Sequence, residues 1–333
     1  MPADETGDFS GYISTGSLPP GELVRDLVAE AHERFKSVAD GENSTVYPAL
    51  AGAPSGRFGI CVAGIDGRIF AAGDADEEFT IMSISKPFVF ALVCQAVGVD
   101  ETRRKIGVNA TGRAFNSLAG IERSADGRTN PMVNSGAIAT TSLVPGATAA
   151  AKWGFVREGL SRFAGRELSF NDAIYQSAAE TNARNQSIAR LLQSYGRIYD
   201  DPAAAVELYT KQCCLNVTAR DLAVMAATLA DGGVNPATGE RVVPAAICHY
   251  ALAVMATAGM YETSGDWLFD VGLPGKSGIS GGIVTVSPGK GGLATFAPPL
   301  DSAGNSVKGQ LVARFLSRKL GMDLFVSQPE REL

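Results

Sequence analysis

Ser83-Ile84-Ser85-Lys86 is the segment whose residue types and spacing most readily do chemistry. It follows a short apolar stretch, Phe79 to Met82, that reads as a strand, and it opens an apolar helical run ending near Gly98. Positions i and i+3 share a helix face, so the Ser83 hydroxyl and the Lys86 amine can meet. A serine hydroxyl is a weak nucleophile until a base takes its proton, and a neutral lysine beside it is such a base. Lys86 must then titrate near neutrality instead of near about 10.4, a displacement of roughly three pH units or about 4 kcal/mol. Burial and the positive end of a helix both push it that way. Pro87 falls in the first turn, where its missing N–H does little harm. Taken alone, Ser-x-x-Lys also fits an ordinary helix cap. The chain holds a second copy, Ser287-Pro288-Gly289-Lys290, on a turn that cannot make the same geometry.

A later segment, Lys276-Ser277-Gly278, precedes the Gly-rich strand Gly281-Gly282-Ile283-Val284. Ser-x-x-Lys early, an Asn-bearing loop between, and Lys-Ser-Gly late is the arrangement of serine β-lactamases and penicillin-binding proteins. The late strand offers backbone N–H groups to an oxyanion. Gly275-Lys276-Ser277 could instead end a phosphate loop, but that motif needs a glycine at 270, where the chain has Asp270.

Other chemistries find little support. The two histidines are His32, in a charged helical stretch, and His249, after Cys248; neither has an acidic motif beside it. Neither a zinc site nor a Ser-His-Asp triad is expected, and no metal or organic cofactor. The five cysteines (Cys61, Cys94, Cys213, Cys214 and Cys248) form no Cys-x-x-Cys pair and mostly sit among apolar neighbours. They read as buried free thiols in a reducing cytoplasm. Net charge is −6 with no basic run, which argues against a nucleic-acid partner. Met1 to Ser10 lacks the apolar core of a signal peptide, and Pro87 to Val99 is too short to span a bilayer, so no membrane association is expected.

Elements to position these residues can be read from the pattern. Hydrophobic residues make up 45% and charged residues 19%, enough for a large core. Residues 1–18 read as a loose tail, and Leu18 to Val38 as an amphipathic helix started by Pro19 and Pro20. Phe58 to Ile65 and Arg68 to Gly73 form a hairpin across Asp66-Gly67. Thr218 to Asp221 is a capping box, and Gly232-Gly233 closes the helix it opens. Strands return at Gly282 to Val286 and Leu293 to Phe296, before a last helix over Ser306 to Leu320. The expected fold is α/β (α+β). Residues 19–86 and 263–325 build an antiparallel sheet flanked by helices, and residues 87–262 build a mostly helical lobe. The cleft between them is the natural ligand site.

From about Val46 to Leu324 the chain resembles the glutaminase family, which includes bacterial and kidney-type enzymes. The segments that carry the resemblance are Asn130 to Ile138, Ala183-Arg184-Asn185, Met225 to Gly233, Thr238 to Arg241, Gly259-Met260-Tyr261, Gly272 to Gly278, Pro298 to Asp301 and Gly304 to Gly309. They occur in the family's order with family-like spacing. The resemblance implies a β-lactamase-like fold and hydrolysis of the side-chain amide of L-glutamine to L-glutamate and ammonia. It implies no cofactor, and a homodimer or homotetramer. Residue by residue, Ser83 looks like the acylated nucleophile and Lys86 its base. The backbone N–H groups of Ser83 and Ile279 look like the oxyanion hole. Tyr261 resembles the proton-shuttling tyrosine, and Tyr47 the one that closes over the substrate. Asn134, Asn185 and Tyr209 resemble the groups that hold the α-amino and α-carboxylate ends of glutamine. Plainer readings stand beside these: Tyr209 as a core aromatic, Asn134 as a turn residue, Asn185 as a helix-surface amide.

The chain departs from the family at Ala178, where the family has a substrate-contacting glutamate. Glu180, two residues on, would point elsewhere on a helix. Smaller departures are Met82, usually glutamine, and Asn109 to Gly112, usually Glu-Pro-Ser-Gly. Two rival functions remain: a related amidase or penicillin-recognising hydrolase, and a glutamine- or glutamate-binding protein that lost turnover with the acidic residue.

Overall fold

A computed structural model describes residues 16–326. The tail expected over residues 1–18 lies almost entirely outside the described residues. The chain enters through α1 (Gly21–Phe35), the short α2 (Pro48–Ala51) and the hairpin β1 (Gly59–Gly64) and β2 (Ile69–Gly73). Strand β3 (Phe79–Thr80) and a 3-10 turn (Met82–Ile84) lead into α3 (Ser85–Val97). Then come α4 (Val99–Ile106), α5 (Ala119–Glu122), α6 (Asn134–Thr141), α7 (Ala149–Ala164), α8 (Asp172–Glu180), α9 (Ala183–Ser194) and α10 (Pro202–Cys213). Strand β4 (Asn216–Val217) precedes α11 (Ala219–Ala230), α12 (Ala245–Ala258) and α13 (Ser264–Val271). The chain finishes through β5 (Gly275–Ser277), β6 (Gly282–Ser287), β7 (Gly291–Phe296) and α14 (Val307–Lys319).

Strands from the two ends of the chain meet in one antiparallel sheet of order β2-β1-β7-β6-β5. The twofold alternation of a strand decides its packing. Ile60, Val62, Ile283 and Leu293 point to the face covered by α1 and α14, while Cys61, Ala63, Val284 and Ala294 point to the opposite core. Helix α1 buries Val24, Leu27, Val28 and Ala31, the i, i+3, i+4, i+7 stripe expected of an amphipathic helix. Its ends lie inside the Leu18 to Val38 reading, with Pro20 as N-cap.

Helix α11 falls within the central stretch read as the helical lobe, yet it covers the second face of the sheet. Its capping box forms as expected, Thr218 accepting from the Asp221 N–H and Asp221 from the Thr218 N–H. Contact is so close that a Cβ on Gly292 of β7 would lie 2.4 Å from the Ala223 carbonyl oxygen. Only glycine allows a helix backbone so near a strand. Strand β5 was not anticipated; three residues with little alternation give no periodic signal.

Helices α4, α6, α7 and α12 pack around α3, whose residues Phe88 to Cys94 are all buried. A helix apolar on every side belongs inside a core. All five cysteines are buried and free. Among the described residues no helix is long and apolar enough to cross a membrane.

Candidate active site

Strand β3 stops early. Phe79 and Thr80 pair with Val217 and Asn216, and the Ile81 N–H donates to the Leu215 carbonyl at 2.8 Å. The backbone then turns at Met82, whose φ is +48°. That angle ends the strand, so the strand expected through Met82 is two residues long. Ser83 sits in a 3-10 turn, not on a helix face. Among the described residues, the non-glycine positions with positive φ are Met82 and Tyr261. Such strained backbone persists where the surroundings over-determine it, and functional sites are its usual place.

Lys86 lies in the first turn of α3 and is 2% exposed. Its Nζ donates to Asn134 Oδ1 at 2.7 Å and to the Met132 carbonyl at 3.3 Å. Ser83 is not among its hydrogen-bond partners, so the direct contact inferred from the i, i+3 spacing is not made. Burial lowers the Lys86 amine to about 7, the neutral-range value a lysine base requires. A neutral amine has two N–H bonds and one lone pair. With both N–H bonds directed at oxygens, the lone pair remains for a proton.

Tyr261 follows Gly259 and Met260. A Cβ at Gly259 would meet the Gly275 carbonyl oxygen at 1.8 Å, so glycine alone lets this segment lie against β5. The Tyr261 hydroxyl donates to the Ser277 carbonyl at 3.2 Å, and its ring packs on Phe115 with centroids 4.6 Å apart. Burial raises the phenol above the usual tyrosine range, and hydrogen bonding with Ser83 opposes that rise. Lys276 lies over the Tyr261 ring, 4.5 Å from its centroid, and donates to the carbonyls of Gly259 at 3.0 Å and Ser277 at 2.8 Å. Burial, reinforced by the charge of Lys86, holds Lys276 well below the usual lysine range.

Ser83, Tyr47, Asn134, Asn185, Tyr209 and Ile279 line one cleft between the sheet edge and the helices. Tyr47 is the N-cap of α2, its extended backbone set by Pro48 at the first helical position. Burial raises its phenol above the usual range. Asn134, the first residue of α6, accepts from Lys86 and from the Tyr209 hydroxyl at 3.2 Å. Its Nδ2 donates to Asn185 Oδ1 at 3.0 Å. Asn185 is 6% exposed, which rules out a helix-surface amide. Phe115, Asn182 and Arg184 also line the cleft and escaped the sequence reading. Phe115 and Asn182 sit in loops without periodicity, and Arg184 carries no signal beyond its place beside Asn185. Ser287 and Lys290, the second Ser-x-x-Lys copy, hold the chain end: Ser287 Oγ donates to the Met322 carbonyl, Lys290 Nζ to that of Gly321. His32 stacks on Phe58, and His249 lies in α12; neither lines the cleft.

The sheet, the apolar α3 and a buried lysine one turn beyond a serine define a β-lactamase-like α+β protein. The glutaminase family profile matches residues 41–325. Glutaminase 2 of Yersinia pestis is 68% identical over 333 residues, covering 100% of this chain and 98% of that one. The glutaminase of Colwellia psychrerythraea is 44% identical over 307 residues, covering 92% and 99%. Among solved structures, the probable glutaminase YbaS superposes with a TM-score of 0.91 at 40% identity, covering 93% of this chain and 100% of that one. The Bacillus subtilis glutaminase YbgJ, in covalent complex with 5-oxo-L-norleucine, superposes with a TM-score of 0.81 at 29% identity, covering 92% and 100%. The chain belongs to the glutaminase family.

Proposed function

We propose that this protein hydrolyses the side-chain amide of L-glutamine to L-glutamate and ammonia through an acyl-enzyme on Ser83. The observation that carries the reading is a buried lysine poised near neutrality beside a serine on a strained turn. Support comes from the Bacillus subtilis relative, which forms its covalent complex by reaction with 6-diazo-5-oxo-L-norleucine. In that reagent a diazo-bearing carbon stands where glutamine has its amide nitrogen.

Neutral Lys86 takes the Ser83 proton, and Ser83 Oγ bonds to the amide carbon. The backbone N–H groups of Ser83 and Ile279 receive the oxyanion. Tyr261 passes its phenolic proton to the amide nitrogen, the C–N bond breaks, ammonia leaves, and Lys86 returns its proton to the phenol. A raised phenol pKa suits this step, because the hydroxyl stays protonated until it is needed. Water then attacks the ester, giving its proton back through Tyr261 and Lys86, and glutamate leaves Ser83. Asn134, Asn185 and Tyr209 hold the α-amino and α-carboxylate ends, with Tyr47 closing over them. Purified protein should release ammonia and glutamate from glutamine, with asparagine as control. Release from asparagine alone, or none from either, would discard the reading.

The rate should also depend on pH in a definite direction. Lys86 acts as base only when neutral, so kcat/KM should rise with pH through an acid limb near 7. A profile already level well below that value would remove Lys86 from the role.

Ala178 is buried on α8, three residues before Thr181 at the cleft, whereas Glu180 is exposed and cannot replace the family glutamate. Without a carboxylate, the substrate ammonium is left to neutral acceptors. Truncating one side of a buried charge pair typically costs ~2–5 kcal/mol, softened where water fills the gap. Ala178→Glu should therefore raise kcat/KM by at least about tenfold. Steady-state kinetics showing no gain would dismiss that position as a substrate contact.

A homodimer or homotetramer, a cytoplasmic location and a division into a sheet unit and a helical unit complete this reading. Light scattering of the purified protein tests the first.

A further inference from the structure

The cleft contains a chain of side-chain hydrogen bonds that runs in one direction. Lys86 Nζ donates to Asn134 Oδ1 at 2.7 Å, and Asn134 Nδ2 to Asn185 Oδ1 at 3.0 Å. Asn185 Nδ2 donates to Asn182 Oδ1, and Asn182 Nδ2 to Thr210 Oγ1, both at 2.7 Å. Thr210 Oγ1 ends the chain by donating to the Val206 carbonyl at 2.8 Å. Asn182, Asn185 and Thr210 are all buried. Every amide therefore accepts on one side and donates on the other, and turning any one over breaks at least two bonds.

What holds this polarity depends on the protonation of Lys86. An ammonium has only donors, so while Lys86 is charged Asn134 must present its oxygen. A neutral amine can also accept. A reversed Asn134 would then donate from Nδ2 into the lysine lone pair, the one site available for the Ser83 proton. Tyr209 cannot prevent this, because a phenol hydroxyl both donates and accepts. Thr210 can. Its single hydroxyl proton goes to the carbonyl four residues back, a bond helical threonines often make, so it offers Asn182 only lone pairs. Asn182 must turn its NH2 to Thr210, and the orientation passes through Asn185 to Asn134.

We propose that Asn182 and Thr210 are positioning residues which, through the amides of Asn185 and Asn134, keep the lone pair of neutral Lys86 free for the Ser83 proton. The inference rests on the function proposed above. It names two residues with no role in the chemistry itself, one of them outside the cleft lining.

Tyr209 and Cys213 from α10 and Lys276 from β5 are titratable groups facing Lys86, and Tyr261, beside Ser83 and Lys276, is a phenol whose burial keeps it protonated. Burial raises the Tyr209 phenol well above its usual range, pushes the Cys213 thiol up to about 11, and keeps Lys276 well below the lysine range. None of these is a carboxylate; Lys276 also titrates low but donates to the Gly259 and Ser277 carbonyls, outside the amide chain, so a limb that moves with Thr210 reports Lys86.

The test is the pH profile of kcat and kcat/KM for the parent, Thr210→Val, Thr210→Ser and Asn182→Asp, with Ser83→Ala as blank and thermal midpoints as the folding control. Thr210→Val keeps the shape and removes the acceptor. Its plateau kcat should fall roughly tenfold, less than the ~10²–10⁴-fold of a lost acid–base group. Its acid limb should move to lower pH, because an amide N–H donated to the amine favours the neutral form. Thr210→Ser restores the hydroxyl and should restore both. Asn182→Asp keeps an acceptor for Asn185 and adds negative charge, so its limb should move to higher pH. A Thr210→Val enzyme with the parent's plateau and limb overturns the proposal. So does Thr210→Ser as slow as Thr210→Val, or Asn182→Asp shifting the limb downwards. A parent no faster than the Ser83→Ala blank sinks the functional reading, and the positioning proposal with it; a fast parent indifferent to Thr210 sinks the positioning proposal alone.

Discussion

Ser83→Ala is expected to lower glutamine turnover by at least ~10⁴-fold while the protein stays folded. The expectation follows from where Ser83 sits. It lines the cleft, it is held on a turn at strained Met82, and its neighbours within the core are untouched by loss of one oxygen atom. Lys86→Met should be nearly as severe. The lysine is 2% exposed, and its stem packs as methionine would. Because nucleophile and base act as one unit, the double variant should be hardly slower than either single one. Ammonia release under steady-state conditions, with melting temperature as control, decides the matter. Retention of more than a few per cent of the parent rate by folded Ser83→Ala would end the acyl-enzyme assignment, and multiplicative losses in the double variant would separate Lys86 from Ser83.

Tyr261→Phe removes a hydroxyl and nothing else. The ring keeps its place against Phe115 and beside Lys276, and the glycine-dependent approach to β5 is unchanged. What disappears is the proton carried between Lys86 and the leaving nitrogen, a general acid–base contribution of typically ~10²- to 10⁴-fold. kcat should fall by that order, and KM for glutamine should change little. The opposite split, an unaltered kcat with a raised KM, would assign Tyr261 to substrate binding. A burst of ammonia before a slow steady state in Tyr261→Phe would place the lost proton in deacylation, within the same scheme.

Much of this protein is local information and was legible from residue order. The Asp66-Gly67 hairpin, the Thr218 capping box and the twofold alternation of β6 and β7 each follow from interactions between near neighbours. So does the start of α3 beside Ser83, because a wholly apolar run has to be buried and takes Lys86 with it. The reason Lys86 titrates near neutrality was legible for the same cause: burial of a charge is a property of the run that carries it.

The meeting of strands from the two chain ends was legible, but most other contacts between distant segments were not. Nothing in the order of residues says that α11 crosses from the helical stretch to cover the sheet, because its apolar face fits either partner equally well. Nor does it say that Met82 turns with positive φ, since that angle is imposed by β3 pairing with β4 and by the packing beneath α3. The spacing of Ser83 and Lys86 suggested one helix face; the fold instead gave Ser83 a turn and gave Lys86 to Asn134. Residue types and local periodicity determined the sheet, the apolar helix and the chemical groups available. Tertiary structure alone decided their directions, above all the polarity of the amide chain from Lys86 to Thr210. An amide oriented by its hydrogen-bond partners takes its direction from residues brought together by folding, and these lie up to 51 positions apart in the chain.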